Sequence, residues 1–191
     1  MYAVITGASS GIGEQLAKRL AKEGYDLILV ARRRERLAAL ADELRAAHKG
    51  LKCDIFTADL MQLDECQRLS DYIEEKDVEI FINNAGYGDC GLFEETDIAK
   101  EIGMIDVNVR AVHFLTKKLL RQLRVKDRGF ILNVASSAGL IPAGPYMATY
   151  YATKAYVASL SRAVACELRQ RHSHVYVGCL CPGPVDTEFN N

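Results

Sequence analysis

The chain has 191 residues, 49% of them hydrophobic and 26% charged, and its 24 basic and 25 acidic residues leave a formal net charge of −1. That length supplies the core of one domain, residues 1–191, and the near-neutral balance removes the electrostatic case for nucleic acid or an anionic membrane. No apolar run approaches the ~20 residues of a transmembrane helix, the opening MYAVITG lacks the form of a signal peptide, and six scattered cysteines without a CxxC pair read as reduced residues of a cytoplasmic protein.

In chain order, short apolar runs alternate with longer amphipathic stretches. Strands are expected at Tyr2 to Thr6, Asp26 to Ala31, Leu51 to Thr57, Val78 to Asn83, Phe130 to Ala135 and Val175 to Leu180. Between the first two, Ile12, Leu16 and Leu20 recur at helical spacing, and Gly24 is a natural stop. Leu37, Leu40 and Leu44 mark a second helix, 63–75 a third, and long helices are expected over 98–123 and 149–171. Strand and helix repeated in this way imply parallel strands joined by right-handed crossovers. Cys179 and Cys181 share a face of the last strand, and His172 and His174 lie nearby. No spacing among them matches a ligand pattern, so no metal is expected.

Thr6 to Gly13, TGASSGIG, joins the first strand to the first helix. Gly7, Gly11 and Gly13 allow a tight turn and close approach to a pyrophosphate over the helix N-terminus, and Ser9 and Ser10 add hydroxyl donors. At the end of the second strand, where an acid would accept from a ribose 2′-hydroxyl, the chain reads LVARRRERL. Arg32 stands in the acid's place with Arg33 beside it, and guanidinium groups hold a 2′-phosphate by charge-assisted bonds. That points to NADP(H). Arg34 and Arg36 read as the solvated start of a helix.

In ATYYATKAY, residues 148–156, only Tyr150 has a lysine four residues on, Lys154. That spacing places both on one helical face. A cation beside a phenol is expected to lower its pKa from about 10 by roughly 1–3 units, enough for proton exchange with an alcohol or carbonyl. Asn133 to Gly139, NVASSAG, and Asn83 to Gly86, NNAG, follow strands at the edge where open parallel sheets bind ligands. Asn108 is a polar residue in an apolar helical stretch, and a buried asparagine needs partners.

TGASSGIG, Asp59 in TADL, NNAG, Asn108, Ser137 in ASSAG, Tyr150 and Lys154 in YYATK, and CPGPVDT occur in an order that resembles the short-chain dehydrogenase/reductase family over nearly the whole chain. The resemblance implies a Rossmann-like doubly wound α/β fold with strand order 3-2-1-4-5-6. It implies Tyr150 as general acid in carbonyl reduction and base in alcohol oxidation. Ser137, thirteen residues earlier, would hold the substrate oxygen, with Ser136 as the alternative. Lys154 would lower the tyrosine pKa and grip the nicotinamide ribose, and Asn108 would hold a relaying water. Thr6, Gly7, Ser9, Ser10, Gly11, Ile12 and Gly13 would form the phosphate turn, with Thr6 tying it to NNAG. Asp59 and Leu60 would meet adenine, Asn84, Ala85 and Gly86 the ribose, and Pro182, Gly183, Val185 and Thr187 the nicotinamide end. For Asp59 and Thr187 a helix cap is the other reading.

The chain ends at Asn191, before the substrate-covering segment, further helix and last strand that family members carry, and the last strand is therefore expected at a sheet edge. The resemblance also implies a homodimer through the 98–123 and 149–171 helices, with Phe114, Val157 and Leu160 as outer apolar residues. The expected substrate is an uncharged or lipophilic carbonyl or alcohol, in a pocket lined by Tyr87, Leu92, Phe93, Leu140, Ile141, Tyr146 and Met147. The other function class is an NADP(H)-binding module with vestigial catalysis that acts as a sensor or interaction partner.

Overall fold

The computed structural model describes residues 1–142 and 144–185. Thr187 therefore lies outside the described residues. Six parallel strands, β1 (Tyr2–Thr6), β2 (Asp26–Ala31), β3 (Cys53–Thr57), β4 (Val78–Asn83), β5 (Gly129–Val134) and β6 (Val175–Leu180), form one sheet in the order 3-2-1-4-5-6, as expected. The central strands read as unbroken apolar runs because helices cover both faces. Ala3, Val4, Ile5 and Leu27 to Val30 are all fully buried.

Helices α1 (Gly11–Lys22) and α2 (Arg34–Ala47) cover one face, over Ala3, Ile5, Leu27 and Leu29. On the other face lie α3 (Leu63–Glu74), α4 (Ile98–Ile105), α5 (Val112–Lys126) and α6 (Ala148–Gln170). Leu69, Ile73, Leu115, Leu119, Leu123 and Leu168 seal that layer over Val4, Ile28 and Phe81.

Several boundaries differ from expectation for local reasons. β3 starts at Cys53 rather than Leu51, and the Lys52 amide donates to the Asp26 carboxylate at 2.9 Å. In α1 the buried stripe is Gly13, Ala17 and Ala21, with Leu16 and Leu20 at its margins, so small residues bring the helix close to the sheet. The helix expected over 98–123 is interrupted by a π-helical turn, Asp106–Ala111, which joins α4 to α5 and contains the fully buried Asn108. A residue inserted in this way bulges the helix, a feature frequent at functional sites. Val157 is not an outer residue. Three positions after Lys154 it faces inward, and it packs with Val112, Ala135 and Ala158.

β6 is an edge strand among the described residues. Its Tyr176 ring lies 6.1 Å from that of Phe130 on β5, and both are exposed. Among the described residues no helix is long and apolar enough to cross a membrane.

Candidate active site

The carboxyl ends of β1, β2, β4, β5 and β6 converge on one edge of the sheet, and the turns that leave them carry the chemistry. After β1, Gly7 has φ +66° and Gly11 φ +58°, the left-handed region open to glycine. Packing restricts the turn further. A Cβ on Gly7 would stand 2.8 Å from the Ala85 Cα, and one on Gly13 would stand 2.3 Å from the Gly7 carbonyl oxygen. The Asn84 amide donates to the carbonyls of Thr6 and Gly7 at 2.9 and 3.2 Å. The Thr6 hydroxyl donates to the Ile82 carbonyl and accepts from the Asn84 and Ala85 amides at 2.9 and 3.0 Å. Thr6 and Asn84 thus bolt the glycine turn to the NNAG segment. The first turn of α1, with Ile12 half-buried in it, opens towards this edge. Its N-cap Ser10 makes no side-chain cap, which suits a bound anion.

The serine hydroxyls of the turn are engaged instead by an arginine. Arg33 donates through Nη2 to Ser9 Oγ at 3.1 Å and to Ser10 Oγ at 2.9 Å, and through Nε to Ser9 Oγ at 3.3 Å. Arg33 therefore makes the clamp across to the glycine turn. Arg32 is exposed at the end of β2, and its charge reaches the Tyr87 phenol, where it opposes the burial that raises that group. Asp59 caps no helix. Its carboxylate accepts from the Met61 amide at 3.1 Å, while α3 begins four residues later behind Gln62. The turn around Asp59 hangs on β2 through a bond from the Ala58 amide to the Ala31 carbonyl, and Leu60 beside it is buried in the core.

Tyr150 and Lys154 share the inward face of α6 at 8% and 5% exposure. The Lys154 ammonium lies 5.8 Å from the centre of the Tyr150 ring and donates to the Val134 carbonyl at 3.1 Å. Burial pulls the ammonium down to about 8. The phenol is not lowered as the i, i+4 spacing predicted. Burial raises it, and a hydrogen bond with Ser136 opposes that rise. The physical reason is that burial penalises the phenolate, while the ammonium is turned to the Val134 carbonyl and does not offset that penalty.

Of the two serines it is Ser136 whose side chain opposes the rise of the Tyr150 phenol. Ser136 also caps the short 3₁₀ turn Ser137–Leu140 by accepting from the Ala138 amide at 3.2 Å. Ser137 uses its backbone elsewhere, donating to the Pro182 carbonyl at 2.8 Å. A thirteen-residue count back from Tyr150 thus stops one residue short of the serine that acts on the phenol.

Both side-chain polar atoms of Asn108 have partners within the protein. Its Oδ1 accepts from the Tyr87 amide at 3.2 Å, and its Nδ2 donates to the Tyr87 carbonyl and Thr153 Oγ1 at 2.9 and 3.1 Å. Its side chain therefore clamps the loop after NNAG to α6. A Cβ on Gly86 would lie 2.7 Å from Asn108 Oδ1 and 3.4 Å from Lys154 Nζ, so Gly86 lets these elements close together.

A second polar network behind the site has no signature in the sequence. Asn83 Nδ2 donates to Asn133 Oδ1 at 2.8 Å and to Thr116 Oγ1 at 3.1 Å. Asn133 Nδ2 donates to Ser161 Oγ at 2.9 Å. All four residues are buried, and together they tie the ends of β4 and β5 to α5 and α6. The available signal was an asparagine at or next to the last position of each strand, Asn83 in β4 and Asn133 in β5.

Beyond β6, Pro182 is fastened to the serine turn, Gly183 has open space around it and Val185 is exposed. Of the expected pocket residues, Leu92, Phe93, Leu140, Ile141 and Tyr146 are exposed around this edge. Tyr87 and Met147 pack on Tyr150. The Gly91 amide donates to the Tyr146 carbonyl at 2.8 Å, which joins the loops after β4 and β5. A groove of about 440 Å³ lined by Ile141, Pro142, Gly144, Tyr151 and Ala155 follows a different face of α6 from Tyr150.

The family model for short chain dehydrogenases matches residues 1–191. A very-long-chain 3-oxoacyl-CoA reductase of Neurospora crassa is 34% identical over 180 residues, which is 92% of this chain and 54% of that protein. The chain spans about half the length of several curated relatives that it matches. A short-chain dehydrogenase of Sphingobium yanoikuyae solved with NADPH superposes with TM-score 0.91 and 34% identity over 98% of this chain and 72% of that one. One from Burkholderia phymatum solved with NAD gives 0.91 and 32% over 98% and 67%. With a parallel sheet in the order 3-2-1-4-5-6 and a family match from end to end, the chain belongs to the short chain dehydrogenase family.

Proposed function

We propose that this chain carries the cofactor-binding and catalytic part of an NADPH-dependent oxidoreductase that interconverts a carbonyl and an alcohol. The observation that carries the proposal is the burial of Tyr150 and Lys154 together on the inward face of α6, the ammonium 5.8 Å from the ring centre, at the edge where the glycine turn opens and with the Ser136 side chain acting on the phenol. The crowding that excludes a Cβ at Gly7 and Gly13 suits a pyrophosphate laid against bare backbone. Gly11, Asn84, Ala85 and Gly86 would complete that wall, Asp59 and Leu60 would border the adenine, and Pro182 and Gly183 would border the nicotinamide end. A bound nicotinamide supplies the hydride.

The protein's own work is positional and protic. The Ser136 hydroxyl holds the substrate oxygen beside Tyr150, and the phenol delivers its proton to that oxygen in reduction. The raised phenol pKa keeps the proton in place until the alkoxide forms. Lys154 brings a cation to the same space, and Asn108 keeps the Gly86 loop and α6 in register. Arg33 with Ser9 and Ser10 favours a 2′-phosphate, and hence NADP(H) over NAD(H). For the substrate, the exposed Leu92, Phe93, Leu140 and Ile141 and the Neurospora relative both favour a 3-oxoacyl thioester with a lipophilic chain. Association through the 98–123 and 149–171 helices, where His113 and Tyr156 bond in the open at 2.7 Å, belongs to the same proposal.

The test is absorbance-monitored NADPH oxidation against 3-oxoacyl thioesters of increasing chain length, ketones and aldehydes, with NADH in parallel. Turnover that favours NADPH and longer acyl chains is expected. NADPH binding without turnover of any carbonyl would sink the catalytic reading. Arg33→Ala should raise the KM for NADPH by roughly 10–100-fold and leave that for NADH unchanged, the loss expected for charged hydrogen bonds.

A further inference from the structure

Two thiols sit where β6 ends. Cys179 lies in the ladder opposite Asn133, and Cys181 is the first residue beyond the strand. Side chains two apart on an extended segment leave on one face. Here both pack against Val112, Ala135, Val157 and Ala158, beneath α6. Their sulfurs stand 3.6 Å apart, and both lie within electrostatic reach of Lys154. The proposed reaction uses neither thiol.

We propose that Cys179 and Cys181 are a redox-active dithiol that a peroxide closes to an intrachain disulfide, displacing the Pro182 segment that frames the site. Two residues of extended chain span about 6.6–6.8 Å, at the upper end of the Cα separations that a disulfide accepts. Closure therefore draws the two backbones together. Cys179 is fixed by the ladder, and the Leu180 carbonyl is held by the Ala135 amide at 2.8 Å. The movement falls on Cys181 and the two residues after it, where Gly183 has open space. The first bond to feel it is that from the Ser137 amide to the Pro182 carbonyl, one residue from Ser136.

The chemistry balances. The Cys181 sulfur attacks one oxygen of hydrogen peroxide, giving a sulfenic acid and one water. The Cys179 sulfur then displaces the sulfenic hydroxyl, which leaves as a second water with the thiol proton. Two thiols lose two electrons, and the peroxide gains them. Cys181 is the attacking partner because burial and its neighbour push the Cys179 thiol up to about 11.

Oxidation depends on the sulfur geometry. Only its consequence for turnover rests on the proposed reductase, so the decisive readouts need no activity. The full chain carrying Cys90→Ser and Cys166→Ser, which removes the exposed thiols, is treated with hydrogen peroxide. Peptide mass spectrometry and amide hydrogen exchange are then measured. The expected result is loss of two hydrogen masses confined to the Cys179–Cys181 peptide, reversal by dithiothreitol, and roughly tenfold faster exchange at Ser137. In the Cys179→Ser variant of that background, oxidation should stop at a Cys181 sulfenic acid captured by dimedone. A disulfide between two chains, direct passage of Cys181 to sulfinic acid with Cys179 present, or a disulfide that leaves Ser137 exchange unchanged would overturn the proposal.

Discussion

The two edges of the sheet treat charge in opposite ways. At the amino edge Asp127, in the left-handed region at φ 45°, accepts from Ser173 Oγ at 2.7 Å and pairs with His174 Nδ1 at 2.9 Å. Asp77 beside it meets Lys126 Nζ at 2.7 Å. These groups are solvated and paired, and the Ser173 and His174 hydrogen bonds hold the Asp127 carboxyl down to about 2. At the carboxyl edge Lys154 is buried against a neutral carbonyl, and its ammonium is pulled down to about 8. One edge spends its charges on local order. The other carries a charge that the apo fold would be more stable without, the pattern of a site built for a ligand.

The comparison can be broken first at Tyr150. Tyr150→Phe keeps the buried ring and removes only the hydroxyl, so turnover should fall by roughly 10²–10⁴ while NADPH affinity and melting temperature barely move. A parallel fall in affinity would mean that the phenol is structural. Ser136→Ala should lower kcat by roughly 10–10²-fold, and Ser137→Ala much less. The reverse order would restore the thirteen-residue spacing as the better guide.

Gly13→Ala presses a methyl group onto the Gly7 carbonyl and should destabilise the fold by about 1–3 kcal/mol, read by denaturant unfolding. A neutral result would show that the turn can relax and that its tightness is not structural.

Lys154→Met tests the buried charge directly. The folded pKa of about 8 lies below the value of 10.5 for an unperturbed lysine. Between those values the unfolded chain holds a proton that the folded protein has lost, so wild-type stability rises with pH across that window. The variant should lose this rise and be more stable than wild type at neutral pH by about 1–2 kcal/mol, while turnover is lost. A destabilised variant would show that the ammonium is compensated in the apo fold.

The smallest effect belongs to the amino edge. Asp127→Asn should lower the melting temperature slightly at neutral pH. Because the folded pKa is depressed, the wild-type advantage should vanish as pH falls from 3.8 towards about 2. A gap that persists below that range would assign the effect to the left-handed turn rather than to the charge.

Much of the site was legible because its residues follow strand ends, and strand ends announce themselves as apolar runs that stop. TGASSGIG, NNAG and the Tyr150–Lys154 pair were all read from local spacing. The choice between Ser136 and Ser137 is not legible in the sequence because the loop between them and Tyr150 does not transmit a fixed count. The side chain that points inward depends on where the 3₁₀ turn begins. The break in the 98–123 helix was missed because a π-helical turn changes the phase by one residue without any glycine or proline to mark it.

The order of elements, the parallel sheet and the glycine turn follow from periodicity and from residues whose backbone freedom is their own property, and the sequence by itself determined them. The tertiary structure decided that Arg33 crosses to Ser9 and Ser10, that Asn108 clamps Tyr87 to α6, and that Lys154 is held near the point of losing its proton. Those outcomes depend on which groups meet across segments 24, 21 and 20 residues apart, and on how much water remains between them. Neither the meeting nor the missing water is a property of any single stretch of chain.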